Sequence, residues 1–166
     1  MIKKVVLFLI LVASMLFSSC LEREKYPIEP NITELVSFVA MKDGLTGAPK
    51  GRLTFRFTDG DGDVGLAPGD TMSPFNRGSE YYYNFFVEYY ERQNGELVLL
   101  DPPAPLHSRI PRLSNNVPES IEVELNIDID INPISPYDTI QLKFYLVDRA
   151  LHKSNVITTP EYIIYK

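Results

Sequence analysis

The segment Ile121 to Ile131 alternates without a fault. Ile121, Val123, Leu125, Ile127, Ile129 and Ile131 fall on one side, and Glu122, Glu124, Asn126, Asp128 and Asp130 on the other. A period of two sends successive side chains to opposite faces of an extended chain, so this is a strand with one dry face and one wet face. The rest of the molecule must supply a second apolar layer to cover the dry one. Arg52 to Thr58 repeats the pattern, with Leu53, Phe55 and Phe57 facing one way and Arg52, Thr54 and Arg56 the other.

Strands and turns are the expectation throughout. Further strands are predicted at 32–41, 82–91, 96–100, 140–148 and 156–165. In the second of these Phe85, Val87 and Tyr89 face the core, and Asn84, Phe86, Glu88 and Tyr90 face outward. Gln93-Asn94-Gly95 is a hairpin signal, because asparagine and glycine accept the positive φ of the tight turn. Pro111 restricts Leu106 to Arg112 to a short edge strand, and Pro160 places the last strand at an edge or a bulge. Seven or eight such strands and no clear amphipathic helix predict an all-β chain: an antiparallel β-sandwich of immunoglobulin or fibronectin III-like character over residues 32–166.

Ahead of that domain lies an export signal. Met1-Ile2-Lys3-Lys4 is basic, Val5 to Phe17 is apolar, and Ser18-Ser19 precede Cys20. The apolar run is short of the roughly 20 residues that span a bilayer, so residues 1–19 read as a cleaved signal peptide. Cys20 is the only cysteine, which leaves an exported chain with a thiol and no disulfide partner. Leu16-Phe17-Ser18-Ser19-Cys20 resembles the lipobox of bacterial lipoproteins, in which the cysteine is acylated. An ordinary secretory signal with an incidental cysteine is the alternative. Residues 20–31, charged and proline-bearing, are expected to form a solvated tether with a reach on the order of 30 Å.

Charge narrows the partners. The whole chain has 16 basic and 22 acidic side chains, and loss of Lys3 and Lys4 leaves a net charge of −8. Phosphate backbones repel such a body, which excludes nucleic-acid binding and leaves membrane attachment to the lipid.

The motif with the most chemical content is Asp59-Gly60-Asp61-Gly62-Asp63-Val64-Gly65, directly after the 52–58 strand. In a sandwich of the expected topology this loop shares a pole with the loop from Asp148 to Asn155. Calcium takes six to eight oxygen ligands, and a D-x-D-x-D run presents several together. Asp59, Asp61, Asp63 and Asp70 fall at the first, third, fifth and twelfth places of an EF-hand-like spacing, with Asp148 and Asn155 as further donors across the pole. Val64 stands where that loop needs glycine, and no helices flank it, so the candidate is a calcium-type loop on a β-scaffold. The competing expectation is that Arg149 or a neighbouring arginine pairs with the aspartates.

A second candidate surface is aromatic. Tyr82, Phe86 and Tyr90, joined by Tyr145 from the adjacent strand, are expected on an outer face able to stack on a glycan or bury against a partner protein. Catalysis has little to recommend it, since His107 and His152 read as surface residues and no G-x-S-x-G, H-E-x-x-H or phosphate-cradling loop is present.

Taken together, Phe55-Arg56-Phe57-Thr58-Asp59-Gly60-Asp61-Gly62-Asp63-Val64-Gly65, Arg109-Ile110-Pro111, Asp148-Arg149-Ala150 and Ser154-Asn155-Val156 resemble a group of small Bacteroidota lipoproteins of unknown function. The resemblance implies a cell-envelope, outer-membrane lipoprotein with a sandwich fold, and it implies no substrate.

Overall fold

Antiparallel strands form both layers of the structure, a computed structural model that describes residues 25–101, 106–115 and 118–164. The expected signal peptide, Cys20 and the start of the tether lie outside the described residues. The strands are β1 (Asn31–Lys42), β2 (Pro49–Asp59), β3 (Phe85–Gln93), β4 (Glu96–Leu100), β5 (Ile121–Asp130), β6 (Thr139–Leu146), β7 (Ile157–Thr158) and β8 (Tyr162–Ile163). One sheet has the order β1-β2-β5; the other runs β4-β3-β6-β7, with β8 also paired to β6. The chain passes between sheets after β2, β4 and β5, and the two layers close as a β-sandwich.

The alternation read in the sequence builds the core. Leu53, Phe55 and Phe57 of β2, Phe85 of β3 and Ile140, Leu142, Phe144 and Leu146 of β6 are all fully buried. Phe55 stacks on Phe85 across the sandwich, with ring centroids 5.6 Å apart, and meets Phe144 at 5.1 Å. Each such side chain contributes about 1.5–3 kcal/mol by leaving water. On the opposite face of β2, Arg52 pairs with Asp128 at 2.8 Å, and Arg56 reaches Glu34 and Glu124 at 2.7 and 2.9 Å. These pairs are exposed and worth at most about 1 kcal/mol each. Their larger effect is to keep that face wet.

β5 pairs with β2 alone. Ile121, Val123, Leu125 and Ile127 are therefore only half-buried, and the interior closes fully only at Ile129 and Ile131. The hairpin at Asn94-Gly95 has φ of 52° and 91°, as its residue types demand.

Several boundaries depart from expectation. The strand placed at 82–91 begins at Phe85, because Glu80–Tyr82 coils into a 3-10 turn. Asn84, expected on the wet face, is buried: its Nδ2 donates to the Ile110 carbonyl at 3.2 Å, and its Oδ1 accepts the Ile110 N–H at 2.6 Å. Leu106 to Arg112 supplies only isolated bridges, Ser108 with Phe85 and Pro111 with Leu66. The last strand is cut into β7 and β8 at Thr159-Pro160, where the Thr159 hydroxyl accepts the Leu142 N–H at 3.0 Å and Pro160 has no N–H to continue the ladder.

The tether is also less solvated than its composition suggests. Tyr26 N–H donates to Ser120 Oγ at 3.1 Å, the Tyr26 hydroxyl donates to Glu122 at 3.2 Å, and Pro30 is buried. Residues 26–30 thus form a strap laid along the domain rather than a free linker.

Candidate metal centre

The inward face of β2 reads Leu53, Phe55, Phe57 and then Asp59. That of β6 reads Ile140, Leu142, Phe144, Leu146 and, two residues on, Asp148. The period that buries the phenylalanines therefore also buries the two aspartates, which are 0% and 2% exposed. β2 and β6 belong to opposite sheets, so each layer ends the core with one inward carboxylate at a common pole.

The loop after β2 is held by other parts of the backbone. A Cβ on Gly60 would lie 2.2 Å from the Tyr26 carbonyl oxygen, and one on Gly62 would lie 2.3 Å from that of Glu119. Gly65 meets the Pro111 carbonyl in the same way and sits at φ 106°. Glycine is required here for close approach as well as for turning. The Glu119 N–H donates to the Asp61 carbonyl at 3.0 Å, and Leu66 N–H to that of Ile110 at 2.9 Å, which locks the loop onto 110–120.

Its carboxylates converge on too few partners. Ligand oxygens of Asp59, Asp63 and Asp148 lie within 4.8 Å of one another. Asp59 accepts the Val64 N–H at 3.2 Å, and Asp63 accepts the Ala150 N–H at 3.1 Å. Even so, Oδ1 of Asp59, of Asp61 and of Asp63 is buried with no hydrogen-bond partner. Asp148 takes the His152 N–H at 2.7 Å on one oxygen and the His152 ring at 2.9 Å on the other. Burial, reinforced by Asp61, Asp63 and Asp148, pushes the Asp59 carboxyl up to about 7. Burial likewise raises Asp63, with repulsion from Asp148 and Asp61 adding to it. It raises Asp148 too, against the His152 hydrogen bonds. His152 is raised in turn by its bond to Asp148.

Two oxygens on opposite sides of a calcium ion at about 2.4 Å are about 4.8 Å apart, so the cluster has the span of a single ion's coordination shell. All its donors are carboxylate oxygens, which suit a hard cation better than zinc. The arginine pairing held open from the sequence does not reach this cluster, because Arg149 pairs with Asp70.

Asp70 therefore stands apart from the aspartates it was grouped with. It accepts the Ala67 N–H at 2.7 Å and the Arg149 guanidinium; against desolvation, the Ala67 hydrogen bond and then Arg149 hold its carboxyl below the usual range. Asn155 is also committed elsewhere: its Oδ1 accepts the Ile32 N–H at 2.7 Å and its Nδ2 donates to the Ile32 carbonyl at 3.0 Å, tying β1 to the 148–155 loop. Of the six residues grouped in the sequence, the structure gathers the ligand oxygens of Asp59, Asp63 and Asp148, keeps Asp61 in their neighbourhood with its Oδ1 buried and unpartnered, and assigns Asp70 and Asn155 to the surrounding frame.

Arg109 was not singled out for any role and organises the long loop from Leu66 to Tyr82. Its guanidinium donates to the carbonyls of Asp70 at 2.6 Å, Tyr82 at 2.8 Å, and Ala67 and Phe75 at 3.4 Å. These contacts lie 27 to 42 residues away in the chain, beyond any local pattern.

The aromatic residues are distributed differently from the expected patch. Phe86 and Tyr145 stack on each other with centroids 4.9 Å apart, and Lys153 lies 3.7 Å over Tyr145. Tyr90 is covered by Lys143 at 4.8 Å and donates its hydroxyl to Glu88 at 2.6 Å. Tyr82 lies under Arg109 at 5.3 Å and meets Tyr83 edge-on at 4.9 Å, without a ring contact to Phe86, Tyr90 or Tyr145 among the described residues. His107, expected at the surface, is half-buried; its Nδ1 accepts the Val87 N–H at 3.1 Å, and burial lowers its pKa. Neither histidine lies beside a hydroxyl or thiol nucleophile that it bonds to among the described residues.

Comparison with protein-family models, with curated proteins and with solved structures finds no match to this chain.

Proposed function

We propose that the chain is an outer-membrane lipoprotein, anchored through acylated Cys20, whose sandwich is a non-catalytic binding or accessory domain with a structural calcium-class cation at its acidic pole. The observation that supports the cation is Asp59, a fully buried carboxylate with an unpartnered oxygen, facing Asp63 and Asp148 with no cationic side chain paired to it among the described residues. An unpaired buried charge costs several kcal/mol, and a divalent ion removes that cost for the whole group at once. Glycan capture on the outer face of β3 and β6 has less support, because Phe86 and Tyr145 already occupy each other's ring faces.

The test is thermal melting of the soluble domain, stripped of metal, with and without millimolar calcium. A rise of several degrees that EDTA reverses supports the reading; equal melting curves after thorough chelation overturn it. Anchoring is checked separately by metabolic labelling with palmitate, which Cys20→Ala should abolish.

A further inference from the structure

The strap at 26–30 and the acidic loop share a seat. Tyr26 and Pro27 press their carbonyl oxygens against Gly60, where a Cβ would come within 2.2 and 2.5 Å of them. Gly60 lies between Asp59 and Asp61. Ser120, which accepts the Tyr26 N–H at 3.1 Å, follows Glu119, whose N–H holds the Asp61 carbonyl at 3.0 Å. One short stretch of chain therefore touches both the strap and the loop.

The sign of the coupling follows from the charges. Docking brings two carbonyl oxygens, each with partial negative charge, to a pole that already holds Asp59, Asp61, Asp63 and Asp148. Without a cation this adds to the repulsion, which would favour an opening of the loop that carries Gly60 from under the strap. With a cation in the cluster, the same carbonyls meet a field of opposite sign.

We propose that a divalent cation bound by Asp59, Asp63 and Asp148 is the latch of the N-terminal strap: loading seats residues 26–30 on the domain and removal releases them. This rests on the cation site of the preceding section. In a chain anchored at Cys20, release of the strap lets the domain stand farther from its membrane, by about 17 Å for five extended residues. The loaded protein is held with its acidic pole toward the anchor.

Coupling free energy is reciprocal, so a factor by which calcium favours docking is the factor by which docking favours calcium. The experiment uses the full mature chain with Cys20→Ser, which avoids the lipid. Calcium affinity is measured by calorimetry, and tryptic cleavage of the Lys25–Tyr26 bond is timed with and without calcium. Lys25 is exposed and next to the docked Tyr26. The expected result is cleavage slowed about tenfold by calcium, within the usual range of such couplings. Ser120→Ala, which removes the acceptor of the Tyr26 N–H, should weaken calcium binding severalfold while leaving the metal-free melting curve in place. Asp63→Asn should abolish the calcium effect on cleavage. Calcium binding with unchanged cleavage, and with wild-type affinity in Ser120→Ala, overturns the latch and leaves the cation site standing. Failure of the wild-type chain to bind calcium overturns both.

Discussion

Arg149 pairs with Asp70, although Asp148, its neighbour in sequence, belongs to the carboxylate cluster. The side chain that could have neutralised the pole is spent on the rim of the loop, where it also lies 5.9 Å over the ring of Phe75. Its backbone nevertheless stays with the cluster and lowers the pKa of Asp63 through a hydrogen bond.

That division predicts opposite effects for one substitution under two conditions. Asp59→Asn keeps an oxygen to accept the Val64 N–H and removes a buried charge. In metal-free protein at pH 7 it should raise stability by about 1–3 kcal/mol, and in saturating calcium it should lower stability by a similar amount. Paired denaturant titrations with and without calcium check this. A loss of stability in both conditions would mean that repulsion is not what the cation relieves.

Metal-free stability should fall as pH rises. The Asp59 carboxyl is pushed up to about 7 from 3.8 in the unfolded chain, so between these values the folded state holds a proton that the unfolded state has lost. The contribution is complete below about pH 4 and is lost as pH climbs toward 7, at about 1.4 kcal/mol per unit. Asp63 and Asp148 are shifted the same way and steepen the trend. Saturating calcium should reverse the slope, because the ion binds the deprotonated cluster. Urea midpoints at pH 4, 5, 6 and 7 on stripped and loaded protein measure both slopes.

Arg109→Ala should cost about 2–3 kcal/mol and raise hydrogen exchange across 66–82, because it takes the guanidinium from the carbonyls of Asp70, Phe75 and Tyr82, while the Ala67 carbonyl keeps the Asp70 N–H. Arg109→Lys should recover less than half of the loss, since one ammonium cannot reproduce the planar fork that reaches all of them. Exchange mass spectrometry on both variants separates local opening from global unfolding.

Asn84→Ala should cost about 1–3 kcal/mol. It strands the N–H of Ile110 in a buried site, while the Ile110 carbonyl keeps the Leu66 N–H at 2.9 Å. Asn84→Asp can accept but not donate when ionised, so its loss should grow above the carboxylate titration range. Chemical denaturation at two pH values distinguishes them.

Much of the fold was legible because alternation is a local signal. The faces of β2 and β6, the Asn94-Gly95 turn and the sandwich itself all follow from residues within a few positions of one another. The meeting of the Asp59 and Asp148 loops was legible at one remove, through topology. The burial of those two aspartates was also readable, since each continues the parity of its strand, and their charge obscured it. Arg109, Asn84 and the strap at Tyr26 were not legible. Their partners are 26 to 96 residues distant, and nothing in their neighbourhood separates a hub from a surface side chain. Asp70 and Asn155 illustrate the converse: spacing grouped the first with the cluster and loop topology the second, and hydrogen bonds to Arg149 and Ile32 took them out of it.

The shared parity of Phe55, Phe57 and Asp59 has a consequence for how errors in this chain are tolerated. A slip of β2 by one residue against β1 or β5 would turn its aromatic rings to solvent and, in the same movement, withdraw an acid from the pole. Misfolded forms with a half-correct interior therefore lack the coordination geometry as well. Loading with metal would act as a proofreading step, favouring only chains whose strands are already in register.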